Sequence, residues 1–380
     1  MLRIFQFRSR NTCLLILIML FTFFRVGGQD DKISFLFMGD IMGHDEQIWS
    51  AEDRQSHTFD FNEVFSYVSP VISGADISIA NFEVTLAGQP YMGYPQFSSP
   101  AALALACKNA GIDYLTTANN HSADRGKNGI INTIHRLDSI GIGHTGTFVD
   151  SLSKNLLHPL MITKKGATIA LLNYTYGTNG ITVPKPSIVN MLDKEVIIRD
   201  IQLARNNKTD IVILFLHWGT EYDTIPSDYQ TELANHFFSA GADLVIGSHP
   251  HVLQKMIWSK NEPTGKDEIT VYSLGNFVSN QRKPKTDGGS MVRVEFTRDT
   301  DSFKITNAGY YLTWVYTPIE KYRKKYLILP CPEFENNPGF FKNADDYILM
   351  KKFITESRNL LNGQNIAIQE IKPAFSSAGL

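Results

Sequence analysis

An α/β fold is predicted for this 380-residue chain by two observations. Short apolar runs alternate with amphipathic stretches, the pattern of strands and helices taking turns in a sheet. Polar side chains able to bind metal recur just after the strand candidates, where residues of an open α/β sheet converge on one crevice. Hydrophobic residues make up 43% of the sequence and charged residues 19%, which suits a large buried core and excludes a disordered or low-complexity polymer.

The elements follow in order. Residues 33–38 form the first strand candidate, 61–72 carry helical spacing, and 77–80 are a short β-branched run. Residues 101–110 read as a helix ended by Gly111, since glycine adopts the left-handed backbone of a helix C-terminus without a Cβ clash. A strand at 112–116 and a helix at 129–140, ending at Gly141, come next. Further strands are expected at 168–173, 211–216, 244–246 and 270–273, with intervening helices at 193–205 and 229–240.

After residue 299 the texture shifts. Residues 303–316 read as one or two strands at a sheet edge, 326–329 as another apolar run, and 345–361 as an amphipathic helix. No Pro/Gly/Ser-rich linker intervenes, so 301–380 is expected to be a C-terminal β/α elaboration packed on the main domain, residues 30–300. Lys321, Arg323, Lys324 and Lys325 cluster here, without the glycine-rich or aromatic context of a ligand site, and read as a solvated surface.

The N-terminus has the layout of a secretory signal: Arg3, Arg8 and Arg10, a 12-residue apolar run at 13–24, then Gly27-Gly28-Gln29. A membrane span needs roughly 20 apolar residues, so a cleaved signal at 1–28 is expected, with an uncleaved anchor as the alternative. Cys13 opens the run, whereas a lipidated cysteine should close it. The expectation is therefore an extracytoplasmic protein, in the periplasm or at the cell surface.

The formal net charge is -2 over the chain. Removing residues 1–28 takes away Arg3, Arg8, Arg10 and Arg25 and leaves 32 basic against 38 acidic residues, or -6. Such a balance argues against a nucleic-acid partner. Three cysteines with no CxxC pair exclude a disulfide scaffold or zinc knuckle, so any metal must rest on oxygen and imidazole. Cys107 and Cys331 either pair or stay as two buried thiols.

Five segments after strands carry the chemistry: Gly39-Asp40, Ala80-Asn81-Phe82-Glu83, Asn119-Asn120-His121, His217-Trp218-Gly219 and Gly247-Ser248-His249-Pro250-His251. Each alone has an ordinary explanation: a helix cap, a turn, a core-edge histidine. Among their side chains are two carboxylates, an amide oxygen and three imidazoles, the donor inventory of a two-metal hydrolytic site. His57, His135, His144, His158 and His236 lie outside such contexts and read as surface or packing residues.

With Gly39-Asp40-Ile41-Met42, Asp124 and Gly126, Glu221, and Ser273-Leu274-Gly275-Asn276-Phe277 added, the ordered segments over residues 33 to 280 resemble the capsule-synthesis CapA family, the poly-γ-glutamate biosynthesis branch of the calcineurin-like metallophosphoesterase superfamily. The resemblance implies a four-layer α/β/β/α metallophosphoesterase-like sandwich with its site at one sheet edge. It implies metal ligation by Asp40, Glu83 as the bridging carboxylate, Asn120, His217, His249 and His251, and proton donation to the leaving group by His121, oriented by Asp124. Asn81, Asn119, Glu221 and Asn276 would line the site. The ions would be manganese, zinc or iron, one or two in number. The chain departs from the superfamily pattern at Met42, where Asp-x-His has histidine, with His44 and Asp45 as candidate substitutes.

The expected function is that of an exported metal-dependent hydrolase in capsule or poly-γ-glutamate biosynthesis, with an anionic cell-surface polymer or its precursor as ligand. The alternative is a non-catalytic accessory protein that binds polymer or a membrane synthase partner. Fold and site kinship leave the substrate open.

Overall fold

The computed structural model describes residues 31–372 apart from 263 and 301; the expected signal at 1–28 lies outside the described residues. Two large sheets organise the molecule. The first runs, in spatial order, Leu327–Pro330, Ser302–Tyr316, Gly288–Asp299, Lys32–Ile41, Ile77–Phe82, Tyr114–Thr116 and Gly143–Thr145. Asn276–Val278 adds to the end of Lys32–Ile41, and Gln369–Glu370 to Ser302–Tyr316. The second runs Met256–Lys260, Asp267–Val271, Leu244–Ser248, Ile211–His217, Ala167–Thr175 and Leu160–Lys164. The strands that carry the candidate residues are the parallel ones in the middle of each sheet.

Side-chain alternation makes four layers. Ile33, Phe35 and Phe37 on one face of the first strand meet Ile169, Leu171, Ile211, Ile213 and Phe215 of the second sheet. Leu36 and Met38, on the opposite face, pack with Leu103 and Cys107 of the helix Ala102–Asn109 and Leu137 of Gly126–Ile140. Leu172, Leu214 and Leu216 likewise face Ile197 and Ile201 of Lys194–Asn206 and Phe237 of Asp228–Ala240. A period of two thus sends alternate residues to the inter-sheet core and to a helical layer. Strand Ile211–His217 is apolar at six consecutive positions because both of its faces are covered.

Local signals set the helix ends. Asp193 caps Lys194–Asn206 by accepting from the Val196 N–H, and Ser227 and Gln230 form a reciprocal capping box on Asp228–Ala240. Gly141, at φ +70°, ends Gly126–Ile140 with its N–H on the Leu137 and Asp138 carbonyls.

Three expectations need correction. Residues 61–72 do not form one helix but a 3-10 turn, Asn62–Phe65, and a short helix, Ser69–Ser73. Pro70 lacks an N–H and so begins a helix instead of sitting inside one. Residues 303–316 lie in the single strand Ser302–Tyr316, which is not at an edge, because Leu327–Pro330 pairs beyond it. Its other partner, Gly288–Asp299, was not expected at all; two glycines open it and charged residues alternate along its far half.

Cys107 and Cys331 are free and buried, one in the layer between the first sheet and its helices, the other in the inter-sheet core. Burial pushes both thiols well above the ordinary cysteine range. No helix among the described residues is long and apolar enough to cross a membrane.

Phe215→Ala should lower the unfolding free energy by about 3–5 kcal/mol, through lost burial plus the cavity left between the sheets. The urea midpoint would fall while the slope stays constant, and a loss under about 1 kcal/mol would contradict the two-sheet core. In native protein treated with iodoacetamide, peptide mapping should find Cys107 and Cys331 unmodified until denaturant is added.

Candidate metal centre

The centre forms where the two sheets meet. In the first, strand register places Asp40 beside Asn81 on one side and Asn276 on the other, so three polar side chains stand abreast. In the second, His217 and Ser248 are register partners at the ends of adjacent strands. A glycine precedes each group. A Cβ on Gly39 would lie 1.9 Å from the Gly275 carbonyl oxygen, and one on Gly247 2.0 Å from that of Tyr272. Only glycine lets neighbouring backbone crowd in so closely behind the site.

Asp40 and Glu83 are both fully buried. The Asn81 amide donates to Asp40 Oδ1 at 2.8 Å and lies 3.4 Å from Glu83 Oε2, which holds the carboxylates side by side. His251 Nδ1 sits 3.1 Å from Asp40 Oδ2 and 3.1 Å from Asn276 Oδ1. His217 Nε2 is 3.0 Å from Asn120 Oδ1 and 3.7 Å from Glu83 Oε1, while its Nδ1 is 3.1 Å from Ser248 Oγ. His249 and His251 flank Pro250 at φ +104° and +59°, a backbone region that non-glycine residues rarely adopt. Such strain costs on the order of 1–3 kcal/mol per residue and is found where surrounding structure over-determines the geometry.

In each of two sets the candidate ligand atoms all lie within 4.8 Å of one another: Glu83, His217 and His249 in one, Asp40, Glu83 and His251 in the other. Glu83 belongs to both. Its Oε1 has no hydrogen-bond partner although it is buried, and neither does His249 Nδ1. Burial, reinforced by the Asp40 carboxylate, raises the Glu83 acid well above its usual range. Burial and the adjacent His249 and His251 hold His217 well below the ordinary imidazole range, and burial with His251 takes His249 down to about 3. Carboxylates pressed together beside His217 and His249, whose protonation burial disfavours, leave a donor set short of positive charge, which a divalent cation fits. Five oxygen and nitrogen donors without sulfur suit manganese, zinc or iron.

His121 stands outside both sets, at the same junction. Its Nδ1 lies 2.8 Å from Asp124 Oδ2, which also accepts the Phe97 N–H at 2.7 Å, and the Phe97 ring meets the imidazole edge-on at 4.6 Å. One ring nitrogen is committed to Asp124, leaving Nε2 for other chemistry. Asn119 braces this loop, donating to the Phe82 carbonyl at 2.8 Å and accepting the His121 N–H. Glu221 is exposed at the mouth, next to Tyr222.

Met42 is buried in the apolar layer behind the first sheet, and neither His44 nor Asp45 belongs to the ligand sets. His44 Nδ1 lies 3.1 Å from Gln47 Oε1 and accepts the Asn280 N–H, while Asp45 accepts the Gly93 N–H. Sequence reasoning passed over Ser248, although it sits within a quoted motif, and Tyr176, whose ring lies 4.5 Å from that of His249. Tyr176 directly follows strand Ala167–Thr175, the positional signal used for the histidines.

Residues 34–281 match the bacterial capsule synthesis protein PGA_cap family. The chain belongs to that family. It is 30% identical over 293 residues to the PGA biosynthesis protein CapA of Bacillus subtilis, covering 73% of this chain and 71% of that one. It is also 30% identical over 281 residues to the capsule biosynthesis protein CapA of Bacillus anthracis, covering 70% and 64%. Solved structures with a similar outline are the NAD nucleotidase of Haemophilus influenzae (TM-score 0.48, 16% identity, 87% of this chain and 68% of that one) and the calcineurin-like phosphoesterase YfkN of Bacillus subtilis (TM-score 0.45, 12% identity, 86% and 98%). The PGA_cap match contains both ligand sets, His121, Asp124 and Asn276.

Asn276 holds His251 through its oxygen and the loop at 279–287 through its amide, on Gln281 Oε1 and the Thr286 carbonyl. Asn276→Ala should weaken manganese or zinc binding roughly 10–100-fold, as loss of a group that orients a ligand does. Calorimetric titration checks this; unchanged affinity would show that His251 needs no such support.

Proposed function

We propose that this protein is an exported, metal-dependent hydrolase of capsule or poly-γ-glutamate biosynthesis, acting on an anionic cell-surface polymer or its precursor. The observation that supports it best is the pair of buried candidate ligand sets that share Glu83, whose Oε1 has no hydrogen-bond partner. Asp40, Glu83, His217, His249 and His251, with the Asn120 oxygen close by, would hold one or two ions. A divalent ion bound there supplies positive charge that polarises a phosphoryl or acyl bond and makes water a better nucleophile.

The remaining work falls to the chain. Asp124 fixes the His121 ring through Nδ1, so that Nε2 can hold a proton and deliver it to a departing oxygen or nitrogen as general acid. Asn81 keeps Asp40 and Glu83 at a set spacing, and the Phe97 ring shields one side of His121 from water. Export, whether to the periplasm or to an anchored position at the cell surface, rests on the Arg-led apolar segment at 1–28.

A second reading, an accessory protein that binds polymer or a membrane synthase partner without cleaving it, draws on Met42. Its burial in the apolar layer leaves the first motif with one ligand, Asp40.

Elemental analysis of purified wild type beside His249→Ala should find stoichiometric manganese, zinc or iron that the variant loses. His121→Asn should keep the metal and lower the turnover of phosphodiester or γ-glutamyl substrates by roughly 10²–10⁴-fold. Wild type that holds metal but cleaves neither substrate would favour the accessory reading, and metal-free active protein would refute the mechanism.

A further inference from the structure

One exposed lysine is tied to the centre through two independent connections. Residues 282–285, Arg282-Lys283-Pro284-Lys285, form a basic loop with no acidic residue, just past the segment that matches the family. Lys283 Nζ lies 3.9 Å from the centroid of the Tyr222 ring. Tyr222, at φ +69°, donates its N–H to the Pro250 carbonyl at 2.8 Å, and its ring lies 6.2 Å from that of His251. The ammonium therefore rests on a tyrosine fastened to the histidine-bearing loop.

The backbone makes the second connection. The Lys283 carbonyl accepts from both the N–H and the hydroxyl of buried Thr286, and the Thr286 carbonyl accepts from the amide of Asn276, which holds His251. The Lys283 ammonium has no hydrogen bond or ion pair among the described residues, and the residue is exposed. A cation–π contact restrains an ammonium without using its three N–H donors. A cation placed beside a hydrolytic centre, restrained but unneutralised, suits an anionic group next to the bond being cleaved.

We propose that Lys283, positioned by Tyr222, is the residue that selects anionic substrates, taking a carboxylate or phosphate of the ligand at the mouth of the metal centre. This rests on the reading that the centre acts on an anionic polymer, and it adds the contact that recognises the charge. Tyr222 is a positioning residue: its ring holds the ammonium in place.

The test is fluorescence anisotropy of a short labelled γ-linked glutamate oligomer, with its uncharged counterpart, the γ-linked isoglutamine oligomer whose α-carboxyls are amides, as control, on manganese-loaded full-length protein. The metal content of every sample is measured alongside. Lys283→Ala should weaken glutamate-oligomer binding about tenfold, the loss expected of one charge-assisted contact, and Lys283→Glu should weaken it further. Lys283→Arg and Tyr222→Phe, which keep the charge and the ring, should stay close to wild type, whereas Tyr222→Leu should follow Lys283→Ala. Metal content should not move in any variant, and the isoglutamine oligomer should bind all of them alike. Equal binding of the glutamate oligomer by wild type and Lys283→Ala, or no binding by wild type, overturns the proposal. Lys283-dependent binding in protein that takes up no metal would instead sink the hydrolase reading and leave this one standing.

Discussion

Two carboxylates, Asp40 and Glu83, are buried side by side where the two sheets meet, and much of the surrounding structure answers to that placement. Like charges removed from water resist ionisation, and the raised acidity range of Glu83 records it. Asn81 donates to Asp40, His251 stands against Asp40, and His217 and His251 both approach the unpaired Glu83 oxygen. Such an arrangement is costly without a cation and favourable with one. The electrostatics of these side chains make the junction a candidate cation site.

The cost is carried by the packing below it. Phe35, Phe37, Ile213 and Phe215 fill the space between the sheets, and the helices cover the outer faces. Parallel central strands then bring Asp40, Asn81 and His217 to one edge, while the strained loop carrying His249 and His251 hangs from strand Leu244–Ser248. A rigid core holding polar residues on short, conformationally restricted loops is how binding geometry is kept without relying on the loops' own stability.

Much of this was legible in the sequence, for identifiable reasons. The central strands are covered on both faces and so read as continuous apolar runs, as at 211–216. The helices are amphipathic and carry capping residues at their ends. The ligand candidates follow strands, and that position was visible before any contact was. The failures are equally specific. Helical spacing at 61–72 outweighed Pro70, which divides the segment. Strand Gly288–Asp299 begins with two glycines and alternates with charges, so neither its composition nor an apolar run announced it, and its neighbour Ser302–Tyr316 was consequently placed at an edge. Tyr176 and Tyr222 went unnoticed because aromatic residues after strands are ordinary, and only their distances to His249 and His251 single them out.

By itself the sequence determined the alternation of elements, the donor types available to a metal, and the family, because burial, capping and ligand chemistry are properties of local patterns. Tertiary structure alone decided that Glu83 is shared between two ligand sets, that Met42 turns into the apolar layer and His44 into a helix cap, and that Lys283 lies over Tyr222. Those facts depend on strand register and on how two sheets stack. Both are set by contacts between residues far apart in the chain, as between Asp40 and His251, which no local pattern encodes.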